Sequence, residues 1–451
     1  MFSPAQNYLT RGFWGDEAWT SLISQLPYVQ MLKTTAADFH PPGYYTVIEL
    51  LYKFVAPTEI NTRIVSIIFY LLTIVLVYKL ASFVRGKNFG VLSAIVVAAN
   101  PIFFTYAFEA RNYTMFAFAA TGSIYYLVKL SVHLGGEMDS HLGKKLRLMG
   151  AFVFFSVLGI YTHYYMFFVL ASQFFYILLF DRKILLKMIG LYSVVGVLYL
   201  PWIPFLYAQL SSVSESYWIG GINARTHFEA ILRILGGENK TVFRPILFWL
   251  STILLLIGIA QHALRHKFEK QYLLIWSWAI IPFILASLPG LRIGEFTLPY
   301  RPIFFWRYLI PASIPLAMVM VHTAQKFPKM LMIASVGTLI VLSVAIDTHT
   351  FIQYPYSFKQ VYKQDVLPEI EKEDAIVTVL PSFAEVLYYR NRNNLENDLI
   401  VLPEGLVQFS GKSLLNVYVE NGVVTIEEVP DRKYFEMRRD DNGPIVEIHS
   451  Q

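Results

Sequence analysis

The sequence predicts a mainly α-helical, polytopic membrane protein with a small α/β or α+β domain at its C-terminal end. Three observations carry this. The 451 residues are 55% hydrophobic and only 15% charged, against roughly a quarter charged in soluble domains. Apolar stretches long enough to cross a bilayer recur along the chain. After residue 350 the composition changes abruptly to short strand-like and helix-like segments with ordinary polarity.

The elements follow in order. Residues 1–60 form a polar and aromatic first loop, without the basic-then-apolar order of a targeting segment. It contains the acidic pair Asp16-Glu17 and the stretch Phe39-His40-Pro41-Pro42-Gly43-Tyr44-Tyr45. Residues 42–56 make a short apolar helix interrupted by Lys53, interfacial or re-entrant rather than spanning. Residues 61–350 form the membrane domain. Ten spans are predicted, at about 61–84, 90–107, 112–132, 148–162, 165–181, 186–207, 245–263, 271–288, 307–324 and 330–348. Residues 351–451 form the terminal domain, with strands at Ala375–Pro381, Asp398–Pro403, Val423–Val429 and Ile445–Ile448, a helix at Ser382–Tyr389, and a turn at Asp440–Gly443.

Charge sets orientation. One set of short loops holds Arg85 and Lys87; Lys144, Lys145 and Arg147; Arg182, Lys183 and Lys187; Arg265, Lys267 and Lys270; and Lys326 and Lys329. These are cytoplasmic by the positive-inside rule. Residues 1–60, 108–112, 162–165, 208–244, 289–306 and 349–451 then lie on the outer face. The net charge of +5 comes largely from the short basic loops and gives no case for nucleic acid. Without cysteine, disulfides and thiolate chemistry are excluded. The chain also lacks the glycine-rich phosphate loops of an ATP-driven pump.

Polar groups gather on the outer side. They are Asp16, Glu17, Asp38 and His40 in the first loop, Glu109 and Arg111 at one span end, and His163, Tyr164 and Tyr165 at the next outer turn. Later outer segments add Glu215, Arg225, Arg244, Arg292, Glu295, Arg301 and Arg307. A carboxylate at an open cleft suits general-base work. Arginine binds phosphate oxygens bidentately and stays charged. Together they suit a substrate whose phosphate sits at the lipid interface, as in a polyprenyl phosphate carrier. Simpler roles stand beside these: Glu109 and Arg111 as a local ion pair, His163 as an interfacial histidine, Arg307 as a snorkelling side chain, and Trp14, Trp19, Trp218 and Trp306 as aromatic-belt residues.

The order of the motifs carries a resemblance. The acidic pair, Pro41-Pro42-Gly43-Tyr44-Tyr45, Glu109-Ala110-Arg111-Asn112-Tyr113, Thr162-His163-Tyr164-Tyr165 and Arg307-Tyr308-Leu309-Ile310-Pro311 together resemble the GT-C fold glycosyltransferases. The branch is that of the dolichyl-phosphate-mannose protein mannosyltransferases (glycosyltransferase family 39-like). The resemblance implies inverting transfer of a sugar from a polyprenyl-phosphate donor to a protein, lipid or glycan acceptor on the outer face. It places the catalytic base on Asp16, with Glu17 supporting it or holding the acceptor. It makes Arg111 and Arg307 the candidates for the donor phosphate, and puts His40, Glu109, His163 and Tyr164 at the substrates. Some members of the family hold a divalent metal with a carboxylate and a histidine and others need none, so a metal on His163 and Glu109 is one option the resemblance leaves. It also implies a span ahead of the acidic loop. The competing expectation is a transporter or flippase of lipid-linked sugars, which calls for polar residues at mid-membrane depth and internal repeats.

Overall fold

The computed structural model describes residues 5–134, 142–215, 219–264, 270–290, 292–293, 296–297, 301–403, 406, 411–440 and 443–450. Three short helices build the first loop: α1 (Gly15–Ile23), α2 (Tyr28–Ala36) and α3 (Gly43–Tyr52). The membrane part follows as α4 (Glu59–Arg85), α5 (Lys87–Ala98), α6 (Pro101–Ala107), α7 (Tyr113–Leu134), α8 (Leu142–Ile160), α9 (Met166–Phe180), α10 (Leu185–Tyr199) and α11 (Ile203–Glu215). It continues through α12 (Ala224–Gly236), α13 (Phe243–Leu264), α14 (Lys270–Ser287), a two-residue strand pair β1 (Arg292–Ile293) and β2 (Phe296–Thr297), α15 (Ser313–Ala324) and α16 (Lys329–Phe351).

Local sequence explains the boundaries. Thr58 caps α4 by accepting from the Asn61 N–H, and Glu59 complements the dipole in the first turn. Gly86, at φ +89°, ends that helix in a conformation glycine adopts without strain. Asn100 caps α6 and Pro101 opens it, so α5 and α6 meet at 64°.

Among the described residues, six helices are long and apolar enough to cross a membrane, or seven if the bent α5–α6 pair is one span. Ten were predicted, and the difference has local causes. The segment at 90–107 breaks at Asn100-Pro101. That at 148–162 extends back through Lys144, Lys145 and Arg147, which leaves a short apolar part. That at 165–181 gives only the 15-residue α9. That at 307–324 divides into a 3₁₀ segment, Trp306–Ala312 with Pro311 inside it, and the 12-residue α15. Helix α4 shows how the rest meet lipid. Ile64, Ile68, Leu71, Leu72 and Val75 are exposed along it, while Val77, Leu80 and Ala81 are buried against neighbours.

The C-terminal part begins with α17 (Phe358–Val361), which runs into a π-helical turn at Tyr362–Val366. Then come β3 (Ala375–Thr378), α18 (Leu380–Arg392), β4 (Leu399–Val401), α19 (Lys412–Glu420), β5 (Thr425–Ile426), β6 (Tyr434–Asp440) and β7 (Gly443–His449). The sheet order is β5-β4-β3-β6-β7; β6–β7 is antiparallel and the other pairs are parallel. The strands expected at 375, 398, 423 and 445 and the helix at 382 are present with adjusted ends. Residues 441–442 of the expected turn lie outside the described residues. Helix α19 and β6 were not anticipated, β6 because its alternation of buried Phe435 and Met437 with charged neighbours resembles loop composition.

One hydrophobic core joins the first loop to the C-terminal part. Phe13, Trp19, Leu22, Tyr44 and Ile48 pack in the same cluster as Phe358, Tyr362, Phe383, Leu387 and Tyr389. The membrane helices have a separate core.

Candidate active site

The two carboxylates of the acidic pair point in different directions. Consecutive residues in the first turn of α1 stand about 100° apart around its axis. Glu17 turns inward and is fully buried. Arg63, from the second turn of α4, grips it with two bonds, Nε to Oε1 at 2.8 Å and Nη2 to Oε2 at 2.6 Å. The Ala110 N–H donates to Oε1 at 2.8 Å, and Arg11 Nη2 lies 3.3 Å from Oε2. Burial pushes this carboxyl up, but Arg11, Arg63 and the Ala110 N–H outweigh it and hold Glu17 below the usual carboxylate range. Arg63 also donates to the carbonyls of Leu9, Arg11 and Gly12. Both oxygens of Glu17 are occupied, so its geometry is that of a clamp.

Asp16 turns outward, with its side chain 42% exposed. Its Oδ2 lies 3.8 Å from Arg111 Nε and 3.7 Å from Arg307 Nη1. Both separations are beyond hydrogen-bond reach, and the buried Nε donors of the two arginines have no hydrogen-bond partner among the described residues. Arg111 also donates weakly to the Asp16 carbonyl and to Thr20 Oγ1, each at 3.4 Å. Arg307 is held over the rings of Trp14, Phe305 and Trp306 at 4.9–5.4 Å. His40 extends the row, with Nε2 at 3.3 Å from Arg111 Nη2 and Nδ1 at 3.4 Å from Asp38 Oδ2.

Glu109 is not the partner of Arg111. Its oxygens accept from Tyr8 Oη at 2.9 Å, Arg11 Nη2 at 2.9 Å and Trp14 Nε1 at 2.7 Å. Burial raises its pKa more than Arg11 lowers it. Glu109 therefore steadies Trp14, the ring beneath Arg307. His163 is buried, stacked on Phe116 at 5.0 Å and edge-on to Tyr308 at 4.8 Å. Its Nδ1 accepts from the Tyr165 N–H at 3.1 Å. Burial, reinforced by the charges of His40 and Arg111, drives its pKa well below the ordinary value and keeps it neutral. Tyr164 points elsewhere: it bonds Gln209 and accepts from Trp202 Nε1 at 3.0 Å. Gln209 in turn ties α11 to the Thr35 carbonyl at 3.0 Å.

The Glu109 oxygens are committed to Tyr8, Arg11 and Trp14, so the optional metal pair of His163 and Glu109 lacks a free carboxylate. Among the described residues, one other group offers donors suited to a divalent ion. Glu436, Glu447 and His449 on the β6–β7 hairpin bring ligand atoms within 4.8 Å of one another. Arg438 already pairs with both carboxylates, at 3.2 and 3.5 Å. Glu295 and Trp218 lie outside the described residues, as do the side chains of Glu215 and Arg292. Arg225 is exposed on α12, and Arg244 is buried on α13.

Sequence reasoning missed Arg63 and Arg11. Arg63 had a signal: a cation one turn into a long apolar helix requires a buried partner. A glycine fixes the other wall. The Gly43 N–H donates to the Tyr161 carbonyl at 2.7 Å, and a Cβ on Gly43 would stand 2.5 Å from that oxygen. Gly43→Ala is expected to push α3 from the Tyr161-Thr162 turn and cost about 1–3 kcal/mol, read as a lower unfolding temperature in detergent.

The C-terminal part reaches the same place. Helix α18 packs on α1, and Glu385 Oε2 lies 3.8 Å from where a Cβ on Gly15 would be. Arg439 Nη2 donates to Glu385 Oε1 at 2.6 Å. Burial raises the Glu385 pKa from 4.5 to about 7; Arg439 opposes this, and Asp16 and Glu17 add to it. The folded state thus favours the protonated acid. That stabilisation is complete below the ordinary carboxylate value and is lost as pH rises through about 7, a span of roughly 3 kcal/mol. Glu385→Gln should flatten the dependence of unfolding temperature on pH between about 4.5 and 7. An unchanged slope would remove Glu385 as its source.

Residues 39–207 match the protein family described as dolichyl-phosphate-mannose-protein mannosyltransferase. Among solved structures, the chain is similar to ArnT from Cupriavidus metallidurans in the apo state, at 13% identity and a TM-score of 0.65, covering 96% of this chain and 90% of that one. ArnT bound to undecaprenyl phosphate gives the same identity and TM-score over 98% and 95% of the two chains. The oligosaccharyltransferase of Archaeoglobus fulgidus, in complex with zinc and sulfate, matches at 13% identity and a TM-score of 0.54, over 95% of this chain and 64% of that one. No curated protein matches the sequence.

Proposed function

From a chain with the GT-C fold and a dolichyl-phosphate-mannose-protein mannosyltransferase match over residues 39–207, we propose a membrane glycosyltransferase that moves a sugar from a polyprenyl-phosphate donor to an acceptor at the outer face. The single observation that carries this reading is the placement of one Asp16 oxygen between Arg111 and Arg307, each with an unfilled Nε donor.

The chemistry follows from those positions. The donor phosphate takes the two guanidinium groups, which neutralise charge as it leaves. Asp16 accepts the proton of the acceptor hydroxyl or amine. The acceptor heteroatom forms its bond to the anomeric carbon from the face opposite the phosphate. The bond from that carbon to the phosphate oxygen breaks, and polyprenyl phosphate departs with inverted configuration at the sugar. Glu17 holds α1, and so Asp16, in place. His40 orients Arg111, and Glu109 orients the Trp14 ring under Arg307. Neutral His163 forms part of the wall.

An apolar groove of about 710 Å³ lies among α8, α9, α10 and α11, lined by Ile160, Phe167, Leu170, Tyr192, Tyr199 and Leu206, and Ile160 and Phe167 flank the His163 turn in sequence. Its character suits an isoprenoid tail. The outer-face assignment rests on the basic loops at the opposite helix ends.

The test is transfer from radiolabelled polyprenyl-phosphate sugars to native membrane acceptors by the purified full chain. The expected result is labelled acceptor together with free polyprenyl phosphate. Absence of transfer from every donor, with a folded protein, would overturn the proposal.

A further inference from the structure

A second polar site lies at the other end of the helix bundle. Helices α4 and α7 leave the candidate active site at Arg63 and Tyr113 and carry Lys79 and His133, respectively, on the order of 24–30 Å farther along their axes. Between them and the start of α8 is a cleft of about 380 Å³. Lys79, Lys129 and Lys144 line it, one from each helix. Among the described residues none of the three ammonium groups pairs with a carboxylate; the nearby Asp181 is engaged by Ser131. Lys129 rests on aromatic faces instead, 4.6 Å from the Tyr125 centroid and 5.8 Å from that of Phe83. Three like charges lining one space favour an anion among them.

His133 adds a directed group. It is buried, and its Nδ1 lies 2.8 Å from the Lys129 carbonyl oxygen, so that nitrogen is the donor. Nε2 is then an acceptor, and it is buried without a hydrogen-bond partner among the described residues while the ring lines the cleft. The remaining walls are apolar, including the exposed Phe83 and the buried Leu148.

The geometry points to a binding site for a phosphodiester lipid headgroup that also bears a hydroxyl, of the phosphatidylglycerol type. The lysines hold the phosphate, His133 Nε2 accepts from the headgroup hydroxyl, and the acyl chains lie on the apolar wall and the adjoining bilayer. The site is separate from the sugar-transfer centre and does not depend on its chemistry.

The test is native mass spectrometry of the purified full chain in micelles with equimolar phosphatidylglycerol, phosphatidic acid and phosphatidylcholine. Phosphatidylglycerol should be retained on the order of 100-fold over phosphatidylcholine, about 1 kcal/mol for each of the three lysines. Lys79 and Lys144 are exposed, so K79Q/K144Q should fold normally, with an unchanged unfolding temperature, and lower that retention by about 25-fold. His133→Phe should bring phosphatidylglycerol down to the phosphatidic acid level and leave phosphatidic acid unaffected. Equal retention of phosphatidylglycerol by the double variant and the parent would overturn the site. Displacement of the lipid by equimolar soluble glycerol 3-phosphate would overturn the lipid assignment in favour of a free anion.

Discussion

Asp16→Asn is expected to abolish most sugar transfer, lowering kcat by roughly 10²–10⁴-fold while leaving donor affinity within a few-fold. The asparagine keeps the size of the side chain and its place between Arg111 and Arg307, but it cannot take the acceptor proton. Because the Asp16 side chain is 42% exposed, the substitution should not disturb folding. Single-turnover transfer with saturating donor separates the two effects. A variant that turns over like the parent would remove Asp16 as the base. A variant that loses donor affinity in proportion to kcat would recast Asp16 as an organiser of the arginines. The second outcome has a physical basis, since one carboxylate oxygen stands within 4 Å of both cations.

Arg63→Ala carries the largest expected cost in stability. Among the described residues it would leave Glu17 fully buried with Arg11 as its one remaining cation, and it would strip donors from the carbonyls of Leu9, Arg11 and Gly12. Breaking one partner of a buried pair costs about 3–5 kcal/mol, a large share of the stability of an ordinary domain. The expected readout is a sharp fall in unfolding temperature and loss of transfer at temperatures where the parent is active. Arg63→Gln combined with Glu17→Gln removes both charges together and should recover part of the loss, because a neutral pair leaves no uncompensated charge. If the single variant melts with the parent, the clamp is not what holds α1.

These two residues also mark where the sequence was legible and where it was not. Repeated apolar stretches and low charge content suffice for a helical membrane protein, because only helices and closed barrels satisfy the backbone in lipid. The bias of basic residues sorted segments by side, which was enough to bring Asp16, His40, Arg111, His163 and Arg307 into one neighbourhood. Side-chain direction was hidden. Asp16 and Glu17 are neighbours in sequence and diverge only because α1 begins at Gly15. Glu109 and Arg111 suggested a local pair, yet they face different clusters because the chain turns between α6 and α7. Tyr164 and Tyr165 were equivalent in composition; the turn before α9 gives Tyr165 the contact with Tyr308 and sends Tyr164 toward α11. The number of spans was overestimated where proline and capping asparagine divide an apolar run.

The shared core of the first loop and the C-terminal part sets a schedule for biogenesis. The Phe13 N–H donates to Tyr389 Oη across 376 residues of sequence, and the Tyr8 N–H donates to the Phe351 carbonyl. At about 5–20 residues per second, a ribosome needs roughly 20–75 s to span that interval. Throughout it, the helix that carries Asp16 has no partner for one of its apolar faces. The membrane helices can insert and pair as they emerge, but the core that packs α1 is complete only when α18 has been made and delivered to the same side. An unfinished chain is thus a membrane protein already in place and still without the proposed enzyme's active site. Premature release from the ribosome should yield inserted but inactive product.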